Sequence, residues 1–205
     1  FMVPMNLLRG GRATYLDTGR WAAFAEKEAR RYGTTDVPFQ DHTRVPRDGE
    51  WGALPEGTRY LHYTSNNTVA GSAFDYTPSV DVPLVCDMSS DILAGPLDGS
   101  RYSLIYAGAQ KNMGPSGVTL VILDKALLDD CDPELPTMLR YGVHVAKGSM
   151  NNTPNTWGIY LIGQVLAWID EMGGLEGIGA RNRAQADRIY GAIDGTAFWQ
   201  GKVAT

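Results

Sequence analysis

The stretch Tyr102–Asp124, YSLIYAGAQKNMGPSGVTLVILD, decides how this chain folds. Two short apolar runs, YSLIYAGAQK and GVTLVILD, are parted by a turn rich in glycine and small residues, and a single lysine, Lys111, closes the first run. Short apolar, β-branched runs bounded by turn formers are the pattern of strands buried on both faces. A third run of the same kind, PLVCDMSS at 83–90, carries Asp87 at its end. An acid and an amine at the ends of neighbouring strands can face one cleft, because α/β sheets build their sites on the loops that follow strands. On spacing alone, both residues also fit solvated charges at loop edges, where long charged side chains usually lie.

Outward from this centre, RYLHYTS at 59–65 reads as a further strand, followed by the turn-like Asn66-Asn67-Thr68. DTGRWAAFAEKEARRYG at 17–33 reads as a helix, with Asp17 or Thr18 as cap, Glu26 and Arg30 spaced as an i,i+4 pair, and Gly33 as its end. Residues 34–58, polar and rich in Pro and Gly, read as loop with a short strand. From Thr156 to Met172 the pattern is helical, with Trp157, Tyr160, Leu161, Gln164, Val165 and Trp168 along one side and Gly173-Gly174 as the stop. Another helix contains ARNRAQADRIYGAID. Strands early and long helices late predict an α/β fold, a mainly parallel sheet flanked by helices. The first residues, FMVPMNLL, read as an apolar packing segment, and FWQGKVAT at 198–205 as the start of a strand or hairpin. The chain is therefore expected to be part of a longer polypeptide.

Composition narrows the function. The chain has 205 residues, 43% of them hydrophobic and 20% charged, which is ordinary for a globular protein. A net charge of -5 leaves no basic footprint for nucleic acid. No apolar run approaches a membrane span, so no membrane partner is expected and the protein reads as cytoplasmic. Two cysteines make no disulfide framework, and three scattered histidines have no metal-ligand spacing, so no metal is expected.

What separates Lys111 from a solvated lysine is its setting. Ala107, Gly108 and Ala109 precede it, and Gly114 and Gly117 follow. Glycine allows sharp turns and close approach of backbone to a ligand. The phosphate-loop pattern G-x-x-x-x-G-K-[ST] is absent. At a crowded, partly apolar strand end the ammonium form of a lysine is disfavoured, which makes the amine a usable nucleophile. The natural partner of such an amine is an aldehyde cofactor. Pyridoxal phosphate needs a lysine to bind its carbonyl carbon and an acid beside its ring nitrogen. Lys111 and Asp87 would fill those two roles.

Four blocks, HYTSNNTVAG, CDMSSDIL, IYAGAQKNMGPSGVTLVI and GSMNNTPNTW, resemble in this order the phosphoserine aminotransferases, class-V pyridoxal-phosphate enzymes of fold type I. The likeness runs from VPMNLL to RIYGAID. It implies a large cofactor-binding domain over residues 1–175, incomplete at its start, and the beginning of a smaller C-terminal domain over 176–205. It implies that Lys111 is the Schiff-base lysine and proton shuttle, and that Asp87 partners the pyridine nitrogen. It implies that Trp21 stacks on the ring, that Thr68 places a hydroxyl near the ring substituents, and that Gln110 binds the cofactor phosphate. Asn152 and Thr153 would reach a phosphate across a dimer interface. Each of these also has a plainer reading. Trp21 fits an amphipathic helix, Thr68 a turn, and Asn152-Thr153 a helix cap before Pro154. Where the family pattern has a second proline after Asn-Thr-Pro, this chain has Asn155.

The implied reaction is amino transfer from glutamate to 3-phosphohydroxypyruvate, giving 2-oxoglutarate and O-phosphoserine in serine biosynthesis, in a homodimer with shared sites. The basic residues that bind substrate are expected mostly outside the chain. Arg9, Arg12, Arg140, His144 and Lys147 are candidates inside it, though each is as readily a surface charge. Two alternatives stand. One is a lyase or desulfurase of the same fold type, which would need a mobile catalytic cysteine. The other is a noncatalytic remnant or interaction domain that kept the fold.

Overall fold

The computed structural model describes residues 1–201. Its elements in chain order are α1 (Met2–Leu7), β1 (Arg12–Asp17), α2 (Arg20–Ala29), β2 (Thr34–Gln40), β3 (Thr58–Thr64), β4 (Asn66–Asn67), β5 (Ser72–Ala73), β6 (Leu84–Asp87), β7 (Leu104–Gly108), β8 (Thr119–Leu123), α3 (Tyr141–Ala146), α4 (Thr156–Glu171) and α5 (Gly174–Asp194). The main sheet has the order β2-β1-β3-β6-β7-β8. Every neighbouring pair is parallel except β7 with β8, which is antiparallel. The expected α/β architecture, a mainly parallel sheet flanked by helices, is the one observed.

Alternation along the strands builds two cores. Tyr60, Val85 and Leu104 face α1, α2 and α3, where they bury Val3, Leu7, Leu8, Ala29 and Tyr141. Leu61, Tyr63, Cys86, Ile105 and Ala107 face the other way, onto Trp51, Met88, Ile92 and Met113, with Ile162 of α4 against them. Asp87 follows Val85 by two residues and lies level with Tyr106 across the β6–β7 pair, so it opens on the α1–α2 face.

Several sequence expectations are corrected here. RATYLD was not read as a strand, yet as β1 it lies between β2 and β3, with five of its six residues buried. Asp17 therefore ends a strand and does not cap α2; the N-cap is Gly19, with no side-chain cap. The Glu26–Arg30 pair forms at 2.5 Å, but α2 closes on Arg30 and not on Gly33. Gly33 is required for a different reason: a Cβ there would lie 2.5 Å from the Gly11 carbonyl oxygen. The β8 run is not buried on both faces. As an antiparallel edge strand it leaves Leu120 and Ile122 exposed.

The α4 helix forms where the pattern placed it, but the side lined by its largest apolar residues is not its packed side. Trp157, Tyr160 and Trp168 are 67%, 56% and 46% exposed. The helix instead turns Gly158, Ile162 and Ile169 inward. Gly158 decides the choice, because a Cβ there would meet Val118 at 2.8 Å. Gly173 takes a left-handed φ of 91° and starts α5, which begins six residues before the sequence motif that pointed to it. Phe198–Gly201 form no strand, and the rest of the strand expected there lies outside the described residues.

Candidate active site

The site gathers at the ends of β6 and β7 and at the start of α2. Lys111 does not close a strand as predicted: β7 ends at Gly108, and Lys111 sits in the turn that follows. That turn is held by Met113 and Gly114 amides donating to the Ala109 carbonyl at 3.1 and 2.9 Å. Nor is the lysine crowded, since it is exposed. Its Nζ donates to Thr68 Oγ1 at 3.3 Å and stands 5.4 Å from the centre of the Trp21 ring, over its face. An ammonium above an indole is drawn to the ring's electron-rich face. Trp21 is the second residue of α2 and is 40% exposed, so its ring is open to a ligand rather than spent in the core.

Trp21 is also a wall of a cavity of about 460 Å³ that Asp87, His62, Tyr106 and Tyr15 line from the sheet side. Trp21 thus stands between the two, with Lys111 over its ring and Asp87 on the cavity it walls. Asp87 is half-buried, and its Oδ1 accepts from the Ser89 amide at 2.9 Å. Ser89 in turn accepts from the Gly108 amide through its hydroxyl at 3.1 Å, which ties the ends of β6 and β7 together. Ser65 donates its hydroxyl toward the Asp87 carbonyl at 3.0 Å and Asp91 Oδ1 at 2.6 Å. Burial pushes the Asp91 carboxyl above the usual range, opposed by its bond to Ser65. At the opposite corner, Asn67 donates to Thr18 Oγ1 at 2.8 Å, and Ser72 to the Thr18 carbonyl at 2.9 Å. These bonds pin the turn that presents Trp21 and Thr68.

The structure therefore brings together Lys111, Thr68, Trp21 and Asp87. Gln110 is exposed in the same turn, and its carboxamide lies where a Cβ on Gly108 would stand, 2.6 Å away. Asn152 and Thr153 are exposed in the loop before α4, where Asn152 Nδ2 donates to the Thr153 carbonyl at 3.3 Å. Neither caps α4. That role belongs to Asn155, whose Oδ1 accepts from the Gly158 amide at 3.0 Å. The residue that departs from the family pattern is thus the cap.

Sequence reading missed His62. It is 2% exposed, stacks on Tyr15 at 4.7 Å, and sits with Nε2 3.0 Å from the Tyr106 hydroxyl. Burial lowers its pKa, against the pull of the Asp87 charge. Its signal was present, as a histidine inside a strand one position before a tyrosine, but nothing local marks it as more than core. Four of the five basic candidates are engaged in the scaffold. Arg12 pairs with Asp36 at 2.6 Å, Arg9 donates to the Asp130 carbonyl, Arg140 donates to the Pro133 carbonyl, and His144 Nε2 bonds the Met138 carbonyl. Lys147 is exposed. Cys86 is fully buried and burial pushes its thiol far up, while Cys131 is pushed up to about 11, chiefly by burial. Neither has the low-pKa, accessible character of a reactive thiol. No metal-ligand cluster occurs among the described residues, and no helix there is long and apolar enough to cross a membrane.

The family model for aminotransferase class-V matches residues 1–201. The chain belongs to the class-V aminotransferase family. It is 49% identical over 98% of its length to the phosphoserine aminotransferase of Azotobacter vinelandii, of which it covers 57%. The phosphoserine aminotransferase of Bacillus circulans subsp. alkalophilus superposes with a TM-score of 0.90 at 47% identity, over 94% of this chain and 55% of that one. A phosphoserine aminotransferase from Trichomonas vaginalis, solved with pyridoxal phosphate bound, gives 0.92 at 32% identity, over 99% of this chain and 59% of that one. The chain thus spans a little over half the length of these relatives. The donor set of this class-V chain suits such a cofactor. It offers an accessible amine and hydroxyl 3.3 Å apart, an indole face free to stack, and a half-buried carboxylate on the shared cavity.

Proposed function

We propose that this chain carries the catalytic half of a pyridoxal-phosphate aminotransferase that moves an amino group from glutamate to 3-phosphohydroxypyruvate, forming 2-oxoglutarate and O-phosphoserine in serine biosynthesis. The observation that carries the reading is Lys111 Nζ poised over the open Trp21 face and beside Thr68. When bound, the cofactor supplies a carbonyl carbon for amines and a ring that accepts electrons from the substrate's α-carbon. Lys111 would hold it through Nζ and would serve as the base at the substrate's α-carbon. Asp87 would partner the ring nitrogen, Trp21 would cover the ring face, Thr68 would bond a polar ring substituent, and Gln110 would bind a phosphate oxygen.

Asn152 and Thr153 are exposed in the loop that leads into α4, whose large apolar residues are open. That arrangement supports a homodimer in which they complete the site of a second copy. Such an apolar side, with Trp157, Tyr160 and Trp168 open, is unusual for a surface that stays free. We read residues 1–175 as the cofactor-binding domain and 176–205 as the start of a smaller one, with α5 spanning the division. Cytoplasmic placement is part of the same reading. The inert thiols weigh against a desulfurase. The test is to add pyridoxal phosphate, glutamate and 3-phosphohydroxypyruvate and to follow 2-oxoglutarate and O-phosphoserine. Equal release of both supports the assignment; sulfide release from cysteine in their place would replace it.

A further inference from the structure

We propose that Tyr106, oriented by His62, is a positioning residue that donates its hydroxyl proton to the Asp87 carboxylate and fixes the acid in the site. The inference deepens the reading given under Proposed function and rests on it for the role of Asp87. Its geometry is independent. Asp87 and Tyr106 are laterally paired on adjacent strands, on one face of the sheet, and both line the cavity that Trp21 closes. His62, on the next strand, lines the same cavity with its Nε2 3.0 Å from the Tyr106 hydroxyl. Burial, and then the Asp87 charge, keep that hydroxyl protonated.

The direction of the chain follows from the other ring nitrogen. His62 Nδ1 is buried and has no partner among the described residues. If Tyr106 donated to Nε2, the neutral ring would carry its proton on Nδ1, leaving a buried N–H unsatisfied, which folded proteins rarely tolerate. With the proton on Nε2, His62 donates to the Tyr106 oxygen, and Nδ1 keeps only a lone pair. Tyr106 then has its own proton free, and the acid level with it on the adjacent strand, lining the same cavity, is Asp87. The Tyr15 ring, stacked at 4.7 Å and 27° on the imidazole, holds the ring plane that this requires. Tyr15 does not compete, because its hydroxyl is engaged with Tyr60 at 2.8 Å. A carboxylate that accepts from a phenol is held at a fixed angle, which is what an acid facing a pyridinium needs.

The experiment has two arms. The first is ¹⁵N NMR of the histidine-labelled chain at neutral pH without cofactor, with His62 recognised by the signal that His62→Gln removes among the three histidines. A neutral ring protonated on Nε2 supports the proposal; protonation on Nδ1, or a charged ring, overturns it. The second arm measures pyridoxal phosphate affinity by equilibrium dialysis. Tyr106→Phe and His62→Leu should each weaken binding roughly tenfold, the scale of one lost charge-assisted hydrogen bond. His62→Gln, which keeps a donor near the Nε2 position, should stay within about twofold. Affinities that follow thermal stability and not this order overturn it. If the unaltered chain binds no pyridoxal phosphate, the cofactor reading fails while the NMR arm still decides the hydrogen-bond chain.

Discussion

His62 makes a quantitative claim about acid stability. The ring is buried, and burial lowers its pKa from 6.5 to about 4, with the Asp87 charge pulling the other way. The sign follows from proton counts. Above pH 6.5 the imidazole is neutral in both folded and unfolded chains and contributes no pH dependence. Below 6.5 the unfolded chain takes up a proton that the folded chain refuses, so stability falls until the folded pKa is reached. Each pH unit in that window costs about 1.4 kcal/mol, so the total is about 3 kcal/mol. Between pH 7 and pH 5 the loss should be about 2 kcal/mol, because only the part below 6.5 counts. His62→Gln removes the titration and leaves every other group in place. Urea unfolding of both proteins at pH 7, 6 and 5 reads the difference directly. The unaltered chain should lose about 2 kcal/mol more than the variant over this range. Parallel pH dependences would refute the claim that His62 is held neutral by burial, whatever the absolute stabilities.

Three further outcomes follow from the geometry. Asp87→Asn keeps the shape of the acid but not its charge; with the cofactor loaded, proton removal from the donor's α-carbon should slow by roughly a hundredfold or more, with a smaller loss of cofactor binding, and stopped-flow absorbance on adding glutamate measures both. Gly177→Ala places a Cβ 1.9 Å from the Met172 carbonyl oxygen, so the α4–α5 turn must shift, at a cost of about 1–3 kcal/mol in chemical unfolding; an unchanged midpoint would contradict the close approach. Tyr160→Asp, on the open side of α4, should shift the proposed homodimer to monomer in sedimentation velocity while leaving its circular dichroism intact.

How far the sequence carries depends on the residue. Lys111 and Asp87 stood out because each follows an apolar run and is framed by turn formers, a one-dimensional signal that survives folding. Both reach the shared site, although Lys111 lies three residues beyond β7 in an exposed turn. The strand RATYLD was hidden, because its charged ends and the following Thr-Gly-Arg-Trp read as the approach to a helix. Only its place between two other strands makes it core. The inward side of α4 was unreadable for a different reason. The helix is apolar nearly all round, and a small residue, Gly158, and not the largest side chains, selects the packed side. His62, Ser65 and Ser89 were invisible as site residues because their hydrogen-bond partners lie across strands. That relation exists only once β3, β6 and β7 are side by side.

The most direct test of the whole account is chemical capture at a single atom. The chain, incubated with pyridoxal phosphate, is reduced with borohydride, digested and analysed by mass spectrometry. A stable pyridoxyl phosphate adduct on the peptide bearing Lys111, absent from Lys111→Ala, is the predicted result. A folded chain that carries the adduct equally on its other lysines, or not at all, would contradict it.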